Sequence, residues 1–204
     1  MPDIVYIHPR LKVFVDYWNF QLLVNEVLNK DKSRINWKEV GEWLAKEASI
    51  LAKMDHYSYE GMNIYTSYNP KKDSSYVNWV HNWLNKQPAI QVNCLERKLK
   101  RAPDCPTCYT TIDLCPKCGA NMEGSEEKGV DALIVTDMIS LAWENSYDMA
   151  ILSSSDRDLI PAVKYLSGKG KKVIHAGFGN IGSDLSKSCW ASFNITSRIS
   201  EILR

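Results

Sequence analysis

The stretch that most limits how this chain can fold is AILSSSDRDLIPAV, residues 150–163, taken with the segment up to residue 178. An apolar run over Met149–Ser153 has strand character. It ends in serines and the triplet Asp156-Arg157-Asp158, and a helix-like apolar pattern continues over residues 158–166. A glycine turn and a second strand pattern then occupy residues 167–178. Strand, helix and strand joined by short connections predict a parallel sheet with helices on its faces.

The same alternation runs through the earlier part of the chain. Residues 12–18 (KVFVDYW) read as a buried strand with an acid near its end. Residues 19–29 read as a helix with Leu22, Leu23, Val27 and Leu28 inward. Residues 36–51 read as a second helix with Asn36 as N-cap and a stripe of Trp37, Val40, Trp43 and Leu44. A short strand over 63–68, a helix over 74–84 with Tyr76, Val77, Val80 and Leu84 inward, and a strand over 89–95 come next. A largely apolar helix is expected over 132–143. Residues 181–204 fit either two short helical pieces or a helix and a strand.

Residues 97–128 break this pattern. They contain four of the six cysteines, three of the eight prolines and little apolar periodicity. They read as a small insertion within a single domain spanning residues 1–204. CPTCYTTIDLCPKCG supplies Cys105, Cys108, Cys115 and Cys118 as two C-x₂-C pairs, enough for a closed tetrahedral site. Structural Zn²⁺ is the expectation. Four thiolates leave no open position for catalysis, and disulfides are disfavoured in a reducing compartment. Cys94 and Cys189 read as core residues or free thiols. The basic run at Arg97, Lys98, Lys100 and Arg101 leads into the insertion and could clamp a nucleic-acid backbone, or simply be solvated.

Four acids stand where the chemistry of an open parallel sheet is found, beyond the carboxyl ends of strands. Asp16 lies near the end of the first strand, Asp156 and Asp158 just past Met149–Ser153, and Asp131 opens the helix after the insertion. Asp156, Asp158 and Asp131 could each serve as a helix cap or first-turn charge. Asp16, hedged by apolar residues, is costly to bury unless paired or metal-bound. Carboxylates without a glycine-rich phosphate loop suit Mg²⁺ or Mn²⁺. Two such ions could activate a water against a phosphodiester.

VFVDYWNF, EEKGVDALIVTDMI, YDMAILSSSDRDLIPAVKYLSGKGKKV and AGF occur in an order and character that resembles the NYN domain family, a branch of the PIN-like ribonuclease superfamily. The resemblance implies an α/β, three-layer, parallel-sheet fold and metal-dependent RNA cleavage leaving a 5′-phosphate and a 3′-hydroxyl. It places the catalytic set on Asp16, Asn19, Asp131, Asp156 and Asp158, with the four aspartates as metal ligands and Asn19 orienting a ligand or water. Two departures stand out: Ser155 and Leu159 occupy positions where the family often has Gly and Phe, and Arg157 sits between the paired acids. Asp137, a similar position in many relatives, falls about 120° around a helix from Asp131 at ~100° per residue, away from the same ion. Lys128 could neutralise a phosphate or simply be solvated, the second being the preferred reading.

Tyr17 and Trp18 follow Asp16 and could stack bases, one of them pointing into the core. The other tryptophans lie at amphipathic helical positions and read as packing residues. His8, His56, His81 and His175 show no ligand spacing and receive no catalytic role. With 25 basic and 24 acidic residues the chain has no global field that selects a polyanion or a membrane, so RNA contact must be local. The N-terminus lacks a leader-like apolar segment and no stretch is long enough to span a bilayer, so the cytoplasm is the expected compartment. Abundant aromatics make a homodimer conceivable. Two rival functions carry similar acids: a catalytically silent RNA-binding or scaffold protein, and a phosphohydrolase with an Asp-x-Asp nucleophile pair. The latter normally places its pair on the first strand, where this chain has a single acid.

Overall fold

The computed structural model describes residues 8–204. Residues 1–7, part of the N-terminus expected to lack a leader, lie outside the described residues. Strand β1 (Arg10–Asp16) is followed by helices α1 (Tyr17–Val27) and α2 (Trp37–Leu51), then β2 (Ser58–Tyr68), α3 (Ser74–Asn82) and β3 (Ile90–Glu96). The short strands β4 (Lys98–Lys100) and β5 (Gly124–Glu126) bracket the cysteine segment. Then come α4 (Val130–Trp143), β6 (Met149–Ser153), α5 (Ile160–Gly168), β7 (Lys172–Gly177), α6 (Ser183–Ser188) and β8 (Ala191–Asn194).

Six strands form one parallel sheet in the order β3-β2-β1-β6-β7-β8. The chain winds outward from β1 in one direction and from β6 in the other. Because parallel crossovers are right-handed, opposite directions send the helices to opposite faces. One face carries Phe20 and Val24 of α1 and Val40, Leu44 and Ala48 of α2, packed with Val13, Val15, Ile64 and Ile151 of the sheet, with Tyr76 and Trp79 of α3 against them. The other carries Ile134 and Met138 of α4, Val163 of α5 and Leu185 of α6 on Phe14, Leu152 and Val173. This is the expected three-layer α/β architecture. Every residue of β6 is buried, as befits a central parallel strand covered on both sides. Ile151→Ala there would cost about 2–5 kcal/mol.

Several local expectations need correction. Leu22 is 59% exposed and Val27 also faces solvent, because helix α1 turns its Phe20, Leu23 and Val24 side to the sheet. Asn36 occupies the N-cap position of α2, but its side chain makes no capping bond; it faces the guanidinium of Arg204. The helix expected to reach residue 84 stops at Asn82, where Trp83 leaves helical geometry (φ −128°, ψ −60°) and a 3-10 turn, Leu84–Lys86, begins. The position before α4 that caps it is Gly129, so Asp131 lies in the first turn and not at the cap. The end of the chain contains pieces of both alternatives: α6, β8 and a 3-10 helix, Thr196–Ile202.

The segment between β3 and α4 has its own small sheet, with β4 and β5 antiparallel and Leu99 opposite Ser125. Within it, two loops repeat one pattern ten residues apart. Cys105 N–H donates to Thr110 C=O and Tyr109 N–H to Cys105 C=O, both at 2.8 Å. Cys115 N–H donates to Ala120 C=O and Gly119 N–H to Cys115 C=O, again at 2.8 Å. The fifth residue of each loop, Tyr109 or Gly119, takes a left-handed conformation (φ 58° and 69°). Among the described residues no helix is long and apolar enough to cross a membrane.

Candidate active site at the carboxyl edge of the sheet

The strand order reverses between β1 and β6, where Val15 pairs with Ser153. The two connections leave this seam in opposite directions, and the crevice beyond it is the expected binding position of such a sheet. Asp16 is the last residue of β1 and is 7% exposed. It also caps α1: its Oδ1 accepts the Asn19 N–H at 3.1 Å. Its Oδ2 accepts from Ser154 Oγ at 3.4 Å, just past the end of β6. The same Ser154 Oγ accepts the Asp156 N–H at 3.2 Å. One serine hydroxyl thus links the first-strand acid to the loop of the paired acids. Asn19 completes the join by accepting the Ser155 N–H on its Oδ1 at 3.0 Å.

Asp156 caps the 3-10 turn Arg157–Leu159 by accepting the Asp158 N–H at 2.8 Å. Capping and a site role are compatible, since a carboxylate has a second oxygen and further lone pairs to offer. Asp156 is half-buried and Asp158 exposed. A surface pocket of about 310 Å³ lies beside them, lined by Ser155, Asp156, Arg157, Gly182 and Ser183 among others.

The electrostatics tie these acids together. Burial pushes the Asp16 carboxyl up to about 6, against the Asn19 N–H that favours its charged form; the negative charges of Glu127 and Asp131 add to the rise. Asp131 is also held above the usual carboxylate range, first by burial and then by Asp156, Glu127 and Asp158. Each acid is felt by others, so the crevice accumulates negative charge that a divalent cation would relieve. Among the described residues, no three His, Cys, Asp or Glu side chains stand close enough to share one ion as they are. The donor set, carboxylate oxygens partly out of water, nevertheless fits a hard divalent cation.

Glu127 joins the site although it is given no role above, where it stands only as the second residue of the EEKGVDALIVTDMI stretch. It comes directly after β5 and takes the Ser67 hydroxyl as donor, while Arg97 Nε donates to the same Ser67 Oγ at 2.8 Å and the guanidinium stands 3.8 Å from Glu127. Glu126, its neighbour, instead pairs with Lys128 at 2.7 Å. The available signal is the position of Glu127, four residues before Asp131 and at the very end of the insertion, obscured by an ordinary run of charge. Arg97 therefore stands apart from Lys98, Lys100 and Arg101, which are exposed. It is half-buried, and it lies 5.5 Å over the ring of Trp18, whose Nε1–H donates to Ser67 C=O at 2.7 Å. Of the two aromatic residues after Asp16, Tyr17 is in the core, stacked on Trp37 at 4.9 Å. Asp137 is engaged elsewhere: it accepts from Tyr65 O–H at 2.9 Å and from Asn93 Nδ2 at 3.4 Å.

The family model for the NYN domain matches residues 10–195, from the start of β1 to just past the end of β8. The chain belongs to the NYN domain family. This is a family of PIN-like nucleases, and the NYN match takes in every acid described above. No protein of curated function matches the chain. A crystal structure of a protein of unknown function from Vibrio parahaemolyticus is similar over 92% of this chain and 93% of that one, with a TM-score of 0.54 at 15% identity. That similarity speaks for the NYN fold alone.

In the cysteine segment the thiols of each pair are neighbours. Thr110, through its hydroxyl and its N–H, and then Cys105 bring the Cys108 thiol down to about 7. The N–H groups of Cys118 and Lys117, and after them the Cys118 thiol, lower that of Cys115. Amide N–H groups aimed at sulfur favour thiolates, the form that binds metal.

Proposed function

We propose that this chain is a divalent-metal-dependent ribonuclease, with Asp16, Asp131, Asp156 and Asp158 holding Mg²⁺ or Mn²⁺ and Glu127 contributing charge at the same crevice. The observation that carries this reading is the bridge made by Ser154, whose hydroxyl touches the Asp16 carboxylate and the Asp156 N–H across the β1–β6 seam. It joins acids 140 positions apart in the chain at the one edge where an open sheet binds ligands. When bound, such an ion would lower the pKa of a water and offset the charge building on the phosphate.

The chain's own residues then have distinct work. Asn19 holds the Ser155 peptide and so aims the loop of Asp156 and Asp158. Arg97 and Ser67 orient the Glu127 carboxylate. Lys98, Lys100 and Arg101, exposed at the base of the insertion, are suited to neutralising RNA phosphates. Water attack on phosphorus with departure of the 3′ oxygen leaves a 5′-phosphate and a 3′-hydroxyl. The repeated loops around Cys105, Cys108, Cys115 and Cys118 support a structural zinc ion that orders a segment with little apolar material of its own.

A cleavage assay tests the reading. Labelled single-stranded RNA and a folded tRNA would be incubated with wild type, Asp16→Asn and Asp156→Asn in Mg²⁺, Mn²⁺ or EDTA. Cleavage that needs the metal and disappears in both variants is expected. RNA bound but uncut under every metal would overturn it in favour of a silent RNA-binding protein.

A further inference from the structure

His175 is fully buried in the middle of β7, yet its ring reaches the underside of the site loop. Its Nε2 is 2.7 Å from the Ser154 carbonyl oxygen, and its Nδ1 is 2.6 Å from Ser186 Oγ on α6. A carbonyl only accepts, so Nε2 carries the proton. Burial keeps the ring from gaining a second one, and a neutral ring then leaves Nδ1 to accept from the Ser186 hydroxyl. The alternative acceptor for that hydroxyl, Gly182 C=O, is more distant at 3.3 Å.

The backbone makes room for this ring. A Cβ on Gly177 would lie 2.7 Å from His175 Cε1 and 3.0 Å from Nδ1, so any other residue two positions on would displace the imidazole. Ser153 is fixed alongside, its hydroxyl donating to Ala176 C=O at 3.0 Å. The consequence falls on Ser154, the residue whose hydroxyl links Asp16 to Asp156. Its peptide carbonyl is gripped from below by His175, while its side chain ties the two acids above.

From this chain of contacts we infer that His175 is a positioning residue for the metal site: through the Ser154 carbonyl it sets the separation of Asp16 and Asp156. The inference rests on the proposed metal-dependent function. It assigns no contact between His175 and RNA or the ion. A residue that only filled the core could be replaced by another ring of similar size without changing how the acids bind a cation. A residue that holds Ser154 could not.

The test is Mn²⁺ binding to the full chain without RNA, monitored by the loss of the free-ion signal in electron paramagnetic resonance. His175→Phe keeps a ring but removes the donor, and should weaken Mn²⁺ binding at least tenfold while RNA affinity measured in EDTA is unchanged. His175→Gln restores an N–H for the Ser154 carbonyl and should recover most of the loss. If His175→Phe fails to fold, Ser186→Ala, which leaves the imidazole in place but unanchored, should weaken binding about threefold. Wild-type Mn²⁺ affinity in His175→Phe, or in Ser186→Ala where the former does not fold, would overturn the inference and leave the ribonuclease reading standing. A wild-type protein that binds no Mn²⁺ would overturn both.

Discussion

Asn19 and Ser155 meet across the seam where the strand order reverses, the side-chain carbonyl of one accepting the N–H of the other at 3.0 Å. The first turn of α1 is thereby fastened to the loop that carries Asp156. Asn19→Ala would leave a half-buried N–H without its partner, at a stability cost of about 1–3 kcal/mol. The effect on turnover should be larger, roughly 10²-fold, since small misplacements of a site group are felt at that scale. Thermal melts beside single-turnover cleavage would separate the two; equal turnover in the variant would count against a role in aiming the loop.

Asp16 gives a pH signature with a definite sign. Its carboxyl is raised to about 6 in the folded chain, chiefly by burial. Folding is therefore favoured while this group is protonated, fully so below the ordinary carboxylate value near 4, and that contribution is lost as the pH rises through 6. Metal-free Asp16→Asn should gain stability over wild type at pH 7.5, by up to roughly 3 kcal/mol, and little at pH 4. His175 works in the opposite direction, since a ring kept neutral destabilises the fold as the pH falls below about 6.5. It is common to both proteins, so the difference between their melting curves isolates Asp16. A difference independent of pH would contradict the assignment.

The basic residues at the insertion should divide by function. Lys98→Ala and Lys100→Ala are expected to weaken RNA binding across sequences and to flatten the salt dependence by roughly 0.7 in log–log slope for each lysine lost. Arg97→Ala should act differently, because its guanidinium is committed to Ser67 and Glu127. Turnover should fall while the salt slope stays near that of wild type. Filter binding from 50 to about 300 mM salt, paired with cleavage rates, would show whether the split exists.

Zinc should be found at one ion per chain by elemental analysis, and Cys105→Ser or Cys115→Ser should remove it. Chelation is expected to open amides over residues 103–122 to hydrogen exchange while β6 and β1 remain protected. Protection across 103–122 that is indifferent to chelator would argue that the loops stand without metal.

The parts of this molecule that are legible in the sequence are those governed by local periodicity. β6 matches its apolar run residue for residue, because a strand buried on both faces needs one. The four aspartates are visible because each follows a strand end or begins a helix. Leu22 departs from expectation because an apolar residue on a short helix can face either way, and tertiary packing chooses Phe20 and Val24. Glu127 and His175 escape a reading of the sequence for a different reason. Their significance lies in contacts with Ser67 and Ser154, more than twenty positions away in each case, and no spacing rule reports such contacts. The relation between the two cysteine loops is likewise hidden, since it is carried by backbone hydrogen bonds and one shared left-handed residue.

The connection from β3 to β6 must carry the chain from one outer edge of the sheet, past β2 and β1, to the far side of the seam. Every other link between successive sheet strands joins neighbours. A lengthened loop adds only about 0.6 kcal/mol per doubling, so this one long passage is where extra sequence is tolerated most easily. It is also the passage that departs from the carboxyl edge, next to the acids. The fold thus offers a socket in which this segment can be exchanged while the acids stay where they are. Two descendants of one ancestor could share every carboxylate and still present different surfaces beside them.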